Sequence, residues 1–443
     1  MAGPFHHNVM LLRLFAILLP AATLAQWVKL TPANVPESRT VACFAQIKNG
    51  TLMFSGSGPK AADTWLFHDN NWHDVSALGG GKAPSSRALS TMAAYKDGVV
   101  MFGGYTGADH SMNDTWVWDP SSGWSELTLS VAPAGRSYHS MAATEDENGA
   151  PVVLLFGGTA RTDEAHDTAL GDTWSFADGA WTNLNLAQPA APRPRWGHSL
   201  ACTPPSWLEP NAGHPPSCTL FGGARLSEDD HFSDTWIWTH QAPAPAPPGP
   251  GGNYVCYNDA CYPKATGTLT QAECAKAAAA GCPKPVAAFP FPLDLDEPQR
   301  ATSSRSSGVT AGAGFGWKQS QPGTSAVAGQ PRPVGRWSFQ LASCGRGTLM
   351  ATGSIGYRVC SDDTWVFNAT VTESVWGADH NAVGIWTQQL PEVHPSFMAG
   401  AMMARVNDAS LGKGVIAFGG VIFEGKQTGQ SNTTWFWPAT HCP

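Results

Sequence analysis

Short apolar runs separated by polar loops recur along most of this chain. In the best preserved stretch, residues 151–181, an apolar run ends in Phe156-Gly157-Gly158. A polar loop follows, and Asp172-Thr173-Trp174 opens a second run before Trp181. Each run is about one strand long, and the glycines mark places where the backbone bends or approaches a neighbour closely. The pattern therefore predicts a unit of several short β-strands.

The same unit occurs six times. The other copies share a Phe-Gly-Gly-like turn followed by an Asp-Thr-Trp-like motif: Phe54-Ser55-Gly56 with Asp63-Thr64-Trp65, Phe102-Gly103-Gly104 with Asp114-Thr115-Trp116, Phe221-Gly222-Gly223 with Asp234-Thr235-Trp236, Ala351-Thr352-Gly353 with Asp363-Thr364-Trp365, and Phe418-Gly419-Gly420 with Thr433-Thr434-Trp435. A period of about 50 residues built from four short strands is typical of propeller blades rather than solenoid turns.

Two units open with Arg-x-x-His-Ser, at Arg136–Ser140 and Arg195–Ser199. Together with the Gly pair and the later Trp, these motifs resemble the kelch-repeat family, whose propellers are related to the central domain of galactose oxidase. The resemblance implies an all-β fold, a six-bladed kelch-type β-propeller. It says less about function, because propellers of this kind include both enzymes and binding modules.

The two ends of the chain are expected to close the ring. Trp27-Val28-Lys29-Leu30 matches the last strand of the other units but precedes the first complete one, and the sixth unit ends after its third strand. We therefore expect the N-terminal strand to complete blade six, which removes exposed sheet edges. Loops between second and third strands then share one rim with the blade-to-blade connections, and the other loops share the opposite rim.

Blade four contains a Cys-rich insertion. Its closing Trp is delayed to Trp317 by residues 241–316, which comprise a Pro-rich linker, a four-Cys module and a flexible Ser/Gly-rich stretch. The module has capping-box spacing ahead of a predicted helix over residues 274–280. The expected organisation is therefore blades one to four over residues 26–240, the insertion, and the end of blade four with blades five and six over residues 317–443.

The chain begins with a predicted secretory signal peptide. Residues 1–25 combine a weakly basic start with an apolar run that is too short to span a bilayer. No later stretch could cross a membrane, so we expect a secreted, extracellular protein or one in the lumen of the secretory pathway, and a monomer. Four sequons would then be available for glycosylation, at Asn49, Asn113, Asn368 and Asn432.

Ten cysteines suit an oxidising compartment. Cys202 and Cys218 flank an inserted loop between the first two strands of blade four, and we expect them to form a disulfide. The four cysteines of the insertion are expected to pair among themselves: Cys256, Cys261, Cys274 and Cys282. The pairing of Cys43, Cys344, Cys360 and Cys442 stays open at this point.

Two sets of residues are candidates for ligand binding. Arginines open the first strand of five units, at Arg39, Arg87, Arg136, Arg195 and Arg336, and in the sixth Phe397 takes the equivalent place. Guanidinium groups suit an acidic ligand, although repeat-wide arginines can instead hydrogen-bond loop carbonyls within the fold. Histidines lie beside acidic residues in three second-to-third loops, at His110, His166 and His231. The alternative to a binding role is that they are ordinary polar residues of solvated loops.

The chain shows no recognisable catalytic or metal-binding motif, and no cofactor is expected. The formal net charge of −8 and the absence of a Lys/Arg cluster argue against nucleic acid as a partner. Tyr138-His139 invites comparison with the copper site of galactose oxidase, but His139 falls in the repeat's own motif. We therefore favour a secreted, non-catalytic module that binds an extracellular protein or glycan. The alternatives are a carbohydrate-active or sugar-isomerising propeller enzyme and a structural extracellular scaffold.

Overall fold

The fold was analysed in a computed structural model of the chain. It describes residues 26–58, 62–107, 111–161, 167–186, 191–210, 217–225, 231–240, 254–257, 260–263, 315–320, 332–356, 359–361, 363–371, 382–395, 398–424 and 427–442. These residues form six four-stranded antiparallel sheets, one for each repeat. Helical structure among them consists of two 3-10 turns, Leu78–Gly81 and Ala439–His441. The predicted all-β, six-bladed propeller is confirmed.

Each blade orders its four strands from the central axis outward. Blades one and two comprise Cys43–Ile47, Gly50–Phe54, Thr64–His68 and Asn71–Asp74, then Thr91–Tyr95, Gly98–Phe102, Thr115–Asp119 and Gly123–Leu127. Blades three and four comprise Ser140–Glu145, Pro151–Phe156, Thr173–Ala177 and Ala180–Asn183, then Ser199–Cys202, Ser217–Phe221, Thr235–His240 and Phe315–Gln319. Blades five and six comprise Gln340–Cys344, Gly347–Ala351, Thr364–Val371 and Ala382–Gln389, then Met402–Asp408, Gly412–Phe418, Thr434–Pro438 and Val28–Leu30.

Short additional strands extend some loops. They are Thr159–Arg161 with Asp167–Ala169 in blade three, Ser354–Gly356 with Val359–Cys360 in blade five, and Met398–Ala399 with Val421–Glu424 and Gln427–Gln430 in blade six. All of these lie on the rim of the second-to-third loops, which we call the upper rim. The opposite rim, which carries the first-to-second and third-to-fourth loops, is the lower rim.

The N-terminal strand closes the ring as predicted. Val28 pairs with Phe436 and Leu30 with Thr434, both antiparallel. Trp27 is 1% exposed, and its ring lies 5.3 Å from that of Trp437. The last sheet is therefore assembled from both ends of the chain, which leaves no unpaired edge at the seam.

A disulfide lies next to this seam. Cys344, at the end of the first strand of blade five, is bonded to Cys442, which follows the third strand of blade six. The bond closes a loop with a sequence separation of 98 residues. Crosslinks over loops of this length restrict the unfolded chain strongly, so the bond reinforces the closure. Cys43 is a buried free thiol whose Sγ lies 2.8 Å from Ser90 Oγ.

The repeated Trp and Thr residues join each blade to its neighbour. The indole of the fourth strand donates to the Thr that follows the Asp-motif position in the preceding blade, at N···O distances between 2.9 and 3.2 Å. The six pairs are Trp72 to Thr434, Trp124 to Thr64, Trp181 to Thr115, Trp317 to Thr173, Trp386 to Thr235 and Trp27 to Thr364. Since every blade both donates and accepts one such bond, the recurring motif is explained by contacts between blades.

The Gly pair is required by backbone geometry. In blade three, Gly157 and Gly158 have φ of 61° and 98°, values that residues with a side chain rarely adopt. A Cβ on Gly158 would lie 2.7 Å from the carbonyl oxygen of Ser137 and from the Cβ of His139. The glycines therefore allow the turn at the end of the second strand to pack against the start of the first strand.

The insertion leaves and re-enters blade four between its third and fourth strands. Thr235–His240 pairs with Phe315–Gln319, which lies beyond the insertion in sequence. Within the insertion, Tyr254–Tyr257 and Ala260–Pro263 form a hairpin in which Cys256 is opposite Cys261 along the backbone. Cys274, Cys282 and the predicted helix lie outside the described residues, so the disulfides of this module stay a prediction.

Candidate functional site

The five repeat arginines are buried inside their own blades. Each guanidinium makes a bidentate ion pair with the Asp of the Asp-Thr-Trp motif of the same blade, and its Nη1 also donates to a carbonyl in the glycine turn. The pairs are Arg39–Asp63, Arg87–Asp114, Arg136–Asp172, Arg195–Asp234 and Arg336–Asp363. None of these arginines is more than 2% exposed. The contacts fit the alternative in which the arginines belong to the repeat itself rather than hold an acidic ligand.

Three of the five paired carboxylates have a lowered pKa. Burial by itself would raise the pKa of Asp172, but hydrogen bonds from Arg136 and from Trp174 lower it below the usual range. The same balance lowers the pKa of Asp234 and Asp363 through Arg195 and Arg336. Each pair therefore acts as a charged clamp between the start of the first strand and the start of the third.

Blade six lacks both members of the clamp. The strand register aligns Ala399 with Val421 just as Ser137 aligns with Thr159, so Met398 occupies the position of the arginine. The prediction that Phe397 takes this place is therefore wrong by one residue, and Phe397 itself lies outside the described residues. The Asp position is Thr433, whose hydroxyl accepts the indole N–H of Trp435 at 3.1 Å. The two charges are therefore absent together, which avoids an unpaired buried charge.

Only one of the three candidate histidines lies among the described residues. His231 is half-buried and forms a backbone bridge with Ala224 at the base of the upper-rim loop of blade four. His110 and His166 lie outside the described residues, so their part in a binding site stays a prediction.

The histidines of the Arg-x-x-His-Ser motif are packing residues. His139 and His198 are 2% and 4% exposed, and each ring meets a Phe of the preceding blade edge-on, Phe102 and Phe156 respectively. In blade five Phe339 makes the equivalent contact with Phe221. Burial lowers the pKa of His198 to about 3 and that of His139 well below its usual value. Both imidazoles are therefore neutral at physiological pH and do not act as acid-base groups there.

A ring of backbone hydrogen bonds surrounds the axis at the upper rim. Six residues, one from each blade, line a cavity of about 60 Å³. The backbone N–H of each donates to the backbone carbonyl of its counterpart in the preceding blade, at N···O distances of 2.9 to 3.3 Å. They are Val41, Leu89, Tyr138, Gly197, Ser338 and Gly400. All six have φ between 49° and 64°. This region costs a residue with a side chain about 1 to 2 kcal/mol, so four of the six residues hold strained backbone. We call the space that the six first strands surround the channel, and the ring lies at its upper mouth.

Three aromatic side chains border this ring on one side. The rings of Tyr138 and Trp196 lie 5.4 Å apart, and those of Trp196 and Trp337 lie 5.6 Å apart, both edge-to-face. All three side chains are half-buried. They come from blades three, four and five, whereas Val41 and Leu89 border the opposite side. We call Tyr138, Trp196 and Trp337 the aromatic cluster; its residues fall at different positions of the repeat, so the repeat pattern does not reveal it.

The lower end of the channel is covered by residues 203–210, which we call the plug. This segment follows Cys202 in blade four, and Cys202 is joined to Cys218 by a disulfide. The plug reaches blade three, where the Trp207 indole donates to the carbonyl of Thr144 at 3.1 Å and Ser206 donates to Glu145. Leu208 is buried. The adjacent apolar residues 207 and 208 in an inserted loop are the sequence signal that this segment packs.

The plug places a buried carboxylate among an amide from blade one and two basic groups from blade six. Glu209 is 4% exposed and accepts hydrogen bonds from Gln46 at 3.0 Å, from Arg405 Nε at 2.5 Å and Nη2 at 2.9 Å, and from Lys413 at 2.9 Å. Burial would raise the pKa of Glu209, but the hydrogen bonds from Arg405, Gln46 and Lys413 lower it to about 2. The plug is therefore held by an ionised glutamate.

Replacing Glu209 by glutamine is expected to reduce the acid sensitivity of the fold. A depressed carboxyl pKa adds stability above the unfolded value of 4.5, and this contribution is lost as the pH falls toward about 2. The contribution is at most about 3 kcal/mol. In urea unfolding, the native protein should have a much larger free energy of unfolding than Glu209→Gln at pH 6. This difference should shrink at pH 2.5. Glu147→Gln, at an exposed lower-rim residue, is the control; an equal effect there would contradict the prediction.

The part of the chain that the structure describes contains no group of three His, Cys, Asp or Glu residues placed to hold a metal ion. It also contains no helix with the length and hydropathy needed to span a membrane.

The sequence comparisons agree with the repeat. Residues 17–205 match the model of the KLHDC2/KLHL20/DRC7 kelch-repeats domain. An F-box/kelch-repeat protein of Arabidopsis thaliana is 27% identical over 221 residues, which cover 44% of this chain and 41% of that protein. The chain thus matches less than half the length of this relative. The solved structure of YjhT covers 90% of this chain and 99% of its own, with 11% identity and a TM-score of 0.48. The sheet order, the clamps and the repeat motifs together make this chain a six-bladed β-propeller of kelch repeats.

Proposed function

We propose that this chain is a secreted, non-catalytic binding module that takes a protein ligand on its upper rim. The observation that carries the proposal is the aromatic cluster at the mouth of the channel. Tyr and Trp are enriched among the residues that dominate binding energy in protein interfaces, because they offer large, rigid apolar area together with a polar atom. The three rings are half-buried and come from adjacent blades, so they offer one continuous surface.

The shape of the upper rim supports the same surface. Additional strands extend the loops of blades three, five and six, whereas no such strands extend the described upper-rim loops of blades one, two and four. Variable loops on a rigid scaffold are where binding residues concentrate. The lower end of the channel, in contrast, is covered by the plug. A ligand is therefore expected to contact the axis from above.

Exposed sequons and two disulfides support placement outside the cytosol. The four sequon asparagines, Asn49, Asn113, Asn368 and Asn432, are all exposed. Disulfides join Cys202 to Cys218 and Cys344 to Cys442, as suits an oxidising compartment. Expression of the full chain in a eukaryotic secretory host, followed by peptide mapping, should find cleavage after residue 25 and glycans on these asparagines. Retention of residues 1–25 on a cytosolic, unglycosylated product would contradict secretion.

Photo-crosslinking tests the binding surface even while the ligand is unidentified. A photoreactive phenylalanine analogue at position 337 on the upper rim should capture a partner protein from the extracellular fluid of the source tissue, while the same analogue at position 207 on the lower rim should not. Trp196→Ala should then weaken binding of that partner by about 2 kcal/mol or more. Trp207→Ala is the matched control. Equal capture from both rims, or a glycan as the bound species, would contradict a protein ligand at the upper rim.

A further inference from the structure

The upper part of the channel contains a small polar space. The cavity of about 60 Å³ lies at the mouth, and a second cavity of about 40 Å³ continues from it, since both are lined by Ser90, Ser140 and Gln340. One water molecule needs about 10 to 15 Å³ of such a space. The mouth cavity therefore has room for a group of about four non-hydrogen atoms.

The mouth of the channel is wide enough for a side chain to enter. Hydrogen-bonded backbones lie about 4.8 Å apart, so opposite corners of a ring of six are about 10 Å apart. Subtracting one carbon contact distance of about 4 Å leaves about 6 Å free. Gly197, Ser338 and Gly400 follow one another around the ring, whereas larger side chains occupy the opposite half. A ligand group therefore has most room beside blades four to six.

Gln340 supplies an accessible polar group at the centre of the channel. It is half-buried and lines the mouth cavity, the second cavity and a lower cavity of about 110 Å³ above the plug. Its carboxamide has no hydrogen-bond partner among the described residues, and neither its oxygen nor its nitrogen is shielded from solvent. Both atoms therefore reach open space in the channel and can pair with a ligand.

A second accessible polar group lies above Gln340 in the same blade. The hydroxyl of Ser338 has no partner among the described residues and is not shielded from solvent. Gln340 follows Ser338 by two residues, so it lies about 7 Å deeper in the channel. That depth is within reach of a side chain that enters at the mouth.

The lining favours an uncharged ligand group. No Asp, Glu, Lys or Arg lines the two upper cavities, and burial lowers the pKa of His139 and His198, so that both imidazoles are neutral. A charged group would lose hydration there without gaining a counter-ion. An apolar group would cover the Gln340 carboxamide and leave it without a partner. The group that fits is therefore neutral and both donates and accepts hydrogen bonds.

We propose that the upper channel binds one side-chain carboxamide, from an asparagine or glutamine of the protein ligand on the upper rim. A carboxamide carries a donor beside an acceptor, so it can meet the Gln340 carboxamide with two hydrogen bonds. The aromatic cluster then contacts the ligand surface around this side chain. The inference rests on the protein ligand proposed above and adds which residue of that ligand enters the channel.

Propionamide, which ends in the same group as a glutamine side chain, tests the chemistry of the site without a protein ligand. In the mature chain with isotope-labelled glutamine, millimolar propionamide should shift the side-chain N–H resonances of Gln340, which are identified by their loss in Gln340→Met. Propionate, similar in shape but charged, should shift them about tenfold less. Ser343→Ala changes the same strand at the lower cavity and should respond like the native protein. No shift with propionamide, or an equal shift with propionate, would overturn the proposal.

Cyclic peptides selected from a displayed library on the mature chain test whether a protein loop can deliver this group. Peptides whose binding is weakened by Trp196→Ala should carry an asparagine or glutamine, and its replacement by aspartate or leucine should weaken binding about tenfold. Gln340→Met should cause a similar loss without lowering the melting temperature. If Trp196→Ala weakens these peptides but the carboxamide and Gln340 changes do not, the upper-rim surface stands and the insertion is wrong. If Trp196→Ala affects no selected peptide while propionamide still shifts the Gln340 resonances, the carboxamide site stands and the proposed protein surface is wrong.

Discussion

Arg136→Met is expected to destabilise the propeller by about 3 to 5 kcal/mol, whereas the double variant Arg136→Met/Asp172→Thr should cost less than this single change. The arginine side chain is fully buried, and its Nη1 and Nη2 donate to the two carboxylate oxygens of Asp172 at 2.7 and 2.8 Å. Removing the guanidinium alone leaves a partly buried carboxylate without its counter-ion. The effect is measured as the change in the free energy of urea unfolding.

Blade six provides the reason to expect recovery in the double variant. Its own residues at these positions are Met398 and Thr433, and the threonine hydroxyl accepts the indole N–H of Trp435. In blade three Asp172 accepts the corresponding bond from Trp174 at 2.6 Å. A threonine at position 172 would therefore keep that hydrogen bond while removing the unpaired charge.

The comparison is read as a double-mutant cycle. Strong coupling between positions 136 and 172 is expected, because each single variant leaves an unpaired charge and the double variant leaves none. If the two single effects simply add, the clamp does not act as a unit. If Arg136→Met instead weakens binding of a ligand while leaving stability unchanged, the arginine is a binding residue and the structural role assigned to it is wrong.

The fold was predictable because its determinants are local and repeated. The strand pattern appears six times, the Gly pair four times and the Asp-Thr-Trp motif five times. The position of Trp27 before the first complete unit was enough to predict closure of the ring. The structure explains the motif. Its Thr accepts a hydrogen bond from the indole of the next blade, and its Asp forms an ion pair with the arginine of the same blade. A repeat-wide residue thus indicates the scaffold even when its side chain is chemically suited to a ligand.

The candidate site was less predictable because it depends on departures from the repeat. The aromatic cluster combines Tyr138 from one repeat position with Trp196 and Trp337 from another, and only the circular arrangement brings the three together. The Glu209 cluster joins residues more than 150 positions apart in sequence. Neither spacing nor composition records such contacts, although the apolar residues within the inserted loop indicate that the loop packs.

Trp27→Ala is expected to lower the free energy of unfolding by about 3 to 5 kcal/mol. The effect is large although Trp27 borders a strand of only three residues. The Trp27 ring is buried against Trp437, its indole donates to Thr364 at 3.2 Å, and its backbone N–H donates to the carbonyl of Val393 at 3.3 Å. The side chain thus connects blade six to blade five where the two ends of the chain meet. Its removal leaves a cavity and an unpaired threonine, and it loosens the strand that covers the edge of Thr434–Pro438.

Two further variants separate these contributions. Trp27→Phe keeps most of the buried area and loses the indole hydrogen bond, so it should cost about 1 kcal/mol beyond the change in volume. Val28→Ala changes a neighbouring side chain that is 45% exposed and should alter stability by less than about 0.5 kcal/mol. Urea unfolding of the mature chain with its disulfides intact measures all three variants. If Trp27→Ala unfolds like Val28→Ala, the N-terminal strand does not contribute to closure, and the disulfide between Cys344 and Cys442 must hold the seam without it.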